Sequence, residues 1–327
     1  MAEGPPETLA TSLAGLDWPD WLERLREVTD EDGYTEALGE DHAAILIETG
    51  LIDTGNVLLV CFESFEVIDA ASPDKQPAGW DVAREMGWSS LTLASRTTSW
   101  FRDPRVYSYF DRQVDDGFFE EFDQVVFYGA GACGYAAGAY SVAAPGARVL
   151  LAQPQATLDA GLTAWDRRYL GQRRVDYTTR YGYAPDMLEA ADHAVLLYDP
   201  EIAEDAMHAA LFARAGVRLQ AMRFMGPKIG SALTRMNLLL PLLCALEEGA
   251  PTDLAFARLL RARREDVAYL KALLGHLERQ ERLKLIVLLA RHALRHTPAP
   301  RFRKSLRAAY DRAESLGLEM PPLDQTG

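Results

Sequence analysis

At 327 residues, 48% of them apolar and 9% aromatic, the chain has ample material for a hydrophobic core and lacks the composition of a disordered segment. A formal net charge of −14 argues against general nucleic-acid binding, because a polyanion is held by lysines and arginines that displace its counterions. No run approaches the roughly 18–20 consecutive apolar residues that span a bilayer, and the acidic start MAEGPPETLATSLAGLDWPDW is unlike a secretory signal, so a cytoplasmic protein without a membrane span is expected.

Residues 1–40 contain short helical or loop pieces around Trp18, Trp21 and Leu25 with no strong period, and are expected to form a surface cap. From about residue 45 to 225, β-rich runs alternate with helical stretches: Val57–Phe62, Ser90–Ala94, Gln124–Tyr128, Arg148–Ala152, Ala194–Tyr198 and Val217–Phe224. This alternation predicts an α/β fold with a mostly parallel sheet and helices on both faces. Beyond about Ile229 leucines recur at three- and four-residue spacing, which predicts an all-helical C-terminal region. The expected organisation is a cap over 1–40, an α/β domain over 41–235 and a helical region over 236–327.

Charge divides the chain in the same sense. Residues 250–327 carry 15 Lys and Arg against 9 Asp and Glu, whereas residues 1–249 carry 19 against 39. The basic helices are the surface on which a protein partner is expected. Cys61, Cys133 and Cys244 have no C-x-x-C spacing and cannot all pair, which fits a reducing compartment and gives no metal signature. Cys61 and Cys244 lie in apolar runs and read as core residues.

The stretch richest in chemistry is VVFYGAGACGYAAGAY, an apolar strand running straight into a small-residue turn and an alanine-rich helix. One motif it matches is G-x-G-x-x-G, through Gly129, Gly131 and Gly134, which would let a dinucleotide pyrophosphate approach the backbone. That fold wants an acidic residue about 20 residues on, at the end of the next strand, where Gln153 and Pro154 stand instead. The other motif is the nucleophile elbow G-x-S-x-G, with Gly129 as first glycine, Gly131 in the nucleophile position, Cys133 in the second-glycine position and Gly134 just after. In that frame the Ala132 amide and an amide near Glu63 and Ser64 form the oxyanion donors.

The segment Gly129 to Ala137 and the strand end Ala152-Gln153-Pro154-Gln155 resemble the G-x-S-M-G-G-Y-x-A and S-P-Q motifs of bacterial α/β-hydrolase-like proteins, several of them linked to cell-surface polysaccharide work. The resemblance covers about residues 55–240. It implies a triad acid at Asp199 or Asp205 and a histidine in the turn after the last strand, where Pro227 and Lys228 stand. It also implies that the WFRDPRVYSYFD segment lies above the sheet near the site, so Trp100 and Arg102 join Glu63, Ser64, Tyr135 and Gln153 as pocket candidates. The tract Arg173 to Met187 is expected as a lid. The whole chain also resembles bacterial proteins labelled phosphoadenosine phosphosulfate reductase. That reduction uses a cysteine near the C-terminus in a Glu-Cys-Gly context, and the last cysteine here is Cys244 in an apolar helix.

Three functional readings follow. The favoured one is a non-catalytic α/β-hydrolase-like protein whose elbow holds a small anionic or acyl-bearing ligand, with no cofactor implied. The second is an acyl hydrolase or transferase using Cys133, whose thiolate a helix N-terminus would favour, with Asp205 and His208, three apart on one helix face, as further catalytic candidates. The third is a nucleotide binder using Gly129, Gly131 and Gly134.

Overall fold

Aliphatic and β-branched runs flanked by Gly, Pro and Asp become strands because both faces of a parallel sheet are buried and the connections lie at its edges. The computed structural model describes residues 7–49 and 56–321. Its strands are β1 (Gly33–Ala37), β2 (His42–Ile47), β3 (Val57–Ser64), β4 (Ser89–Ser95), β5 (Gln124–Ala130), β6 (Arg148–Ala152), β7 (His193–Tyr198) and β8 (Val217–Ala221). They form one eight-stranded sheet in the order β1-β2-β4-β3-β5-β6-β7-β8. Pairings with β2 are antiparallel and all others are parallel. The helices are α1 (Trp18–Thr29), α2 (Phe65–Ala71), α3 (Ala78–Met86), α4 (Pro104–Asp115), α5 (Ala132–Tyr140), α6 (Ala160–Thr163), α7 (Ala184–Met187), α8 (Ala203–Leu211), α9 (Ile229–Arg235) and α10 (Leu239–Glu247), followed by α11 (Asp253–Leu259), α12 (Val267–Arg279), α13 (Leu283–His296) and α14 (Pro300–Ser315).

Alternate residues along each strand feed two cores. On one face Leu58, Val60, Phe62, Leu91, Leu93, Phe127 and Leu151 meet α4 and α5, with Phe110 stacked on Tyr140 at 4.4 Å. On the other, Ala43, Ile45, Ile47 and Ala94 meet Trp18, Trp21, Leu25 and Trp80. This is the expected α/β architecture, with helices on both faces of a mostly parallel sheet.

The N-terminal segment departs from the expected surface cap. Asp17 caps α1 by accepting the N–H of Asp20 at 3.3 Å, Pro19 occupies the first turn where its missing N–H costs nothing, and Trp18, Trp21, Leu22 and Leu25 are buried along one stripe. Gly33–Ala37, inside the same segment, is one of the two edge strands. The last strand also ends earlier than expected: the Met222 N–H closes on Tyr198 O at 2.7 Å, and then Phe224 and Gly226 turn into positive φ.

Of the described residues, the first compact unit holds those up to Met222 together with Pro227–Thr252, and the second holds Arg223–Gly226 and those from Asp253 onward. The second unit has its own core, in which Leu270, Leu274, Ile286, Val287, Ala290, Phe302 and Ala309 bring α12, α13 and α14 together. Among the described residues no single helix is long and apolar enough to cross a membrane; α9 and α10 reach the required composition only as a pair bent by 99°.

Because Trp21 is fully buried, Trp21→Ala is expected to lower the unfolding free energy by about 3–5 kcal/mol, read from urea denaturation followed by circular dichroism. A loss under about 0.5 kcal/mol, the size of a surface change, would mean that α1 is a detachable cap.

Candidate functional site

β5 delivers its last residue, Ala130, to the C-terminal edge of the sheet, and α5 starts two residues later. Gly131 makes the turn at φ 61° and ψ −123°, a conformation that disfavours any side chain. Its N–H donates to Ala152 O at 2.8 Å, and its carbonyl accepts from Tyr135 N at 3.0 Å as the first bond of the helix. A Cβ built on Gly131 meets nothing within 4 Å. Gly129 is the opposite case: a Cβ there would lie 2.2 Å from Cys133 O. At Gly134 the nearest atoms to a Cβ are Gly129 O at 3.1 Å, Ala152 O at 3.3 Å and the Pro154 side chain at 3.3 Å. The glycines on either side of the turn therefore serve the close crossing of α5 over β5 and β6, while the apex is sterically open.

The neighbouring strand supplies a second polar group. Phe62 pairs with Gly129 in the last rung between β3 and β5, and Ser64, two residues further along β3, has the parity of Phe62, on the face that α5 covers. Ser64 is buried and precedes α2 without making the side-chain bond usual for a helix cap. Ser95 and His42 extend the row across β4 and β2. His42 bonds Ser99 Oγ through Nε2 at 2.9 Å, and its buried Nδ1 has no hydrogen-bond partner among the described residues. Ala132 begins α5, whose first-turn N–H groups have no intrahelical acceptor and carry the positive end of the helix dipole.

The other pocket candidates are already engaged. Glu63 lies on the opposite face from Ser64 and accepts the N–H of Ala78 at 2.9 Å, at the start of α3. Burial pushes its carboxyl up to about 7, against the lowering effect of that bond. Trp100 donates from Nε1 to Gln155 Oε1 at 3.2 Å. Arg102 donates twice to Asp176 O, at 2.8 and 3.0 Å, and also to Arg180 O and Thr179 Oγ1, with its guanidinium over the rings of Tyr107 and Tyr177. Tyr135, fully buried, donates to Tyr181 O at 2.5 Å. Together Arg102 and Tyr135 strap the 173–187 tract down, where a lid was expected.

Gln153 acts as a clamp. At φ 45°, with its N–H on Leu197 O at 2.7 Å, its side chain donates to Pro227 O and accepts the N–H of Ile229 at 2.5 Å. It holds the turn in which the resemblance places a histidine. Pro227 and Lys228 are exposed there, and Gly230 fits so closely that a Cβ would come 2.7 Å from the Ala130 methyl.

The remaining catalytic candidates are dispersed. Cys133 is 9% exposed in the first turn of α5, and burial, with the Glu63 charge adding to it, drives its thiol well above the ordinary range. Asp199 follows β7 and accepts the N–H of Glu201 at 3.0 Å. Asp205 and His208 share a face of α8 but do not bond each other: Asp205 takes Arg168 Nη1 at 2.6 Å, and His208 Nε2 meets Asp166 Oδ2 at 3.0 Å. Asp166 and Arg168 were not singled out by the sequence, where D-x-R carries no distinctive spacing.

No protein-family model and no curated protein sequence matches the chain. Similar solved structures include an arylesterase (16% identity, 68% of this chain and 92% of that one, TM-score 0.35) and an esterase from Pyrobaculum calidifontis (14%, 72% and 95%, TM-score 0.42). A thermostable esterase from Pseudomonas putida ECU1011 is also similar (13%, 74% and 98%, TM-score 0.40).

The two glycines of the turn should respond differently to a methyl group. Gly129→Ala, which meets Cys133 O, is expected to cost about 3 kcal/mol, the upper end of overpacking penalties. Gly131→Ala, with open space around it, is expected to cost only the backbone strain of about 1–2 kcal/mol. Urea denaturation of both variants checks the order, and an equal or reversed cost would contradict the geometry.

Proposed function

We propose that this chain is an α/β-hydrolase-like protein that keeps the elbow as a binding scaffold and has given up covalent catalysis. The observation behind this reading is the elbow backbone at Gly131, with open space where a nucleophilic side chain would stand. The turn clamped by Gln153, carrying Pro227 and Lys228 in place of a base, supports it. Serine, histidine and acid work as one unit, so with both the nucleophile and the base gone an acyl-enzyme has no route to form.

What remains is the first-turn amides of α5 from Ala132 on, beside an open apex, with the Ser64 hydroxyl on the face of the sheet that α5 covers. Such donors favour an oxygen that carries negative charge, so the ligand is a small carboxylate or acyl-bearing molecule held without a covalent bond. A thiol enzyme built on Cys133 is disfavoured by the burial that keeps the sulfur protonated. A nucleotide site is disfavoured because Gly129 and Gly134 are spent on packing α5 against the sheet. The basic helices after residue 250 recruit a protein partner in this reading, and the cell-surface polysaccharide setting rests on the resemblance of the elbow motifs.

Purified protein assayed with short-chain nitrophenyl esters and thioesters is expected to show no turnover above buffer, with Cys133 left unlabelled by iodoacetamide until the protein is denatured. Turnover that disappears in Cys133→Ala, with Cys133 labelled in the native state, would overturn the scaffold reading in favour of a thiol enzyme.

A further inference from the structure

The segment that leaves β6 beside the elbow is tied to α8 through a fully buried histidine. His208 has no exposed surface. Its Nδ1 accepts the N–H of Ala156 at 3.1 Å, so that nitrogen carries no proton and the ring must be protonated at Nε2, which donates to Asp166 Oδ2 at 3.0 Å. The charged groups acting on the ring are Asp166 and Arg168 from the segment and Arg173 just beyond it, with Asp205 of its own helix tied to Arg168. Arg168 bonds both carboxylates, at 2.7 Å to Asp166 and 2.6 Å to Asp205, and Arg173 donates to the carbonyls of Thr163 and Asp166. Two carboxylates and two guanidiniums leave the cluster balanced only while the imidazole is neutral. Trp165 closes the other side, its ring 4.6 Å from that of His208.

We propose that His208 is an acid-released latch: neutral, it pins the Gln153–Arg168 segment against α8; protonated, it turns a second N–H toward the Ala156 N–H, adds an unbalanced charge to the cluster and lets that segment go. The segment matters because it flanks the elbow. Pro154 packs on Gly134, Gln155 holds the Trp100 indole, and Gln153 holds the Pro227–Ile229 turn. The latch stands on its own hydrogen bonds and does not depend on what the elbow binds.

Burial, against the pull of Asp166, holds the imidazole down to about 4, whereas a released ring titrates near 6.5. The open form therefore binds the proton and the closed form does not, so the closed state is favoured in full above about pH 6.5 and loses ground as pH falls toward 4. The linkage predicts an opening equilibrium larger by roughly one to two orders of magnitude at pH 4.5 than at pH 7.5.

Hydrogen–deuterium exchange of the full-length protein from pH 7.5 to 4.5, corrected for intrinsic rates, tests this. Peptides over 153–168 are expected to lose protection by that factor while β5 and β6 peptides of the same molecules hold theirs. In His208→Gln, whose amide can accept from Ala156 and donate to Asp166 but cannot take a proton, the acid response is expected to vanish. Unchanged protection of 153–168 in the wild-type protein overturns the latch, as does a loss shared equally by β5 and β6, and both readouts need no variant. An acid response that persists in a folded His208→Gln protein overturns it as well.

Discussion

The close crossing of α5 over β5 and β6 is the contact on which the candidate site depends. Backbone meets backbone there: a side-chain atom at Gly129 would run into the Cys133 carbonyl, and one at Gly134 would crowd two carbonyl oxygens and Pro154. With the helix seated that deeply, its first turn must spring from the end of the strand through one residue of positive φ, and Gly131 is that residue. The same crossing brings Ala152 O within reach of the Gly131 N–H and sets the Ala132 end of the helix at the sheet edge. The shape of an elbow is thus enforced by packing, and it persists whether or not a nucleophile stands on it.

Around this turn the protein has spent its polar groups on structure. Arg102 is committed to loop carbonyls, Tyr135 to Tyr181, Gln153 to the turn after β8, Glu63 to the start of α3, and His208 to Ala156 and Asp166. A buried donor or acceptor left unpaired costs about 1–3 kcal/mol, so such commitments also hold these side chains in place. The first-turn amides of α5 beside the open apex stand apart from these, as does Ser64, whose side chain makes no capping bond. That contrast is why the proposed ligand is held by amides and a hydroxyl rather than by a guanidinium.

Six of the strands were legible in the sequence because each is a short β-rich run alternating with helical stretches. The elbow was legible for a different reason: an apolar strand ending in GAGACG has few ways to enter a helix. β1 and β2 were not, because GYTEA is short and half-exposed at the sheet edge, and HAAILI reads equally well as the start of a helix. The burial of α1 was missed because its stripe of Trp18, Trp21, Leu22 and Leu25 is short and interrupted by charge. Pairings at the candidate site were the least legible. Asp205 and His208 have helical spacing, yet each takes its partner from a loop some 40 positions away in sequence, and no local pattern encodes that choice.

The central claim is that residue 131 is the sterically open apex of an elbow that retains the electrostatics of a helix N-terminus. Placing a thiol there reads it directly: alkylation of a Gly131→Cys protein by iodoacetamide across pH, with each cysteine followed by mass spectrometry. The account predicts that the new thiol reacts in the native protein while Cys133 does not, with a midpoint below the roughly 8.5 of a free cysteine. A thiol at 131 that stays protected until unfolding, or that titrates above the free value, would contradict it.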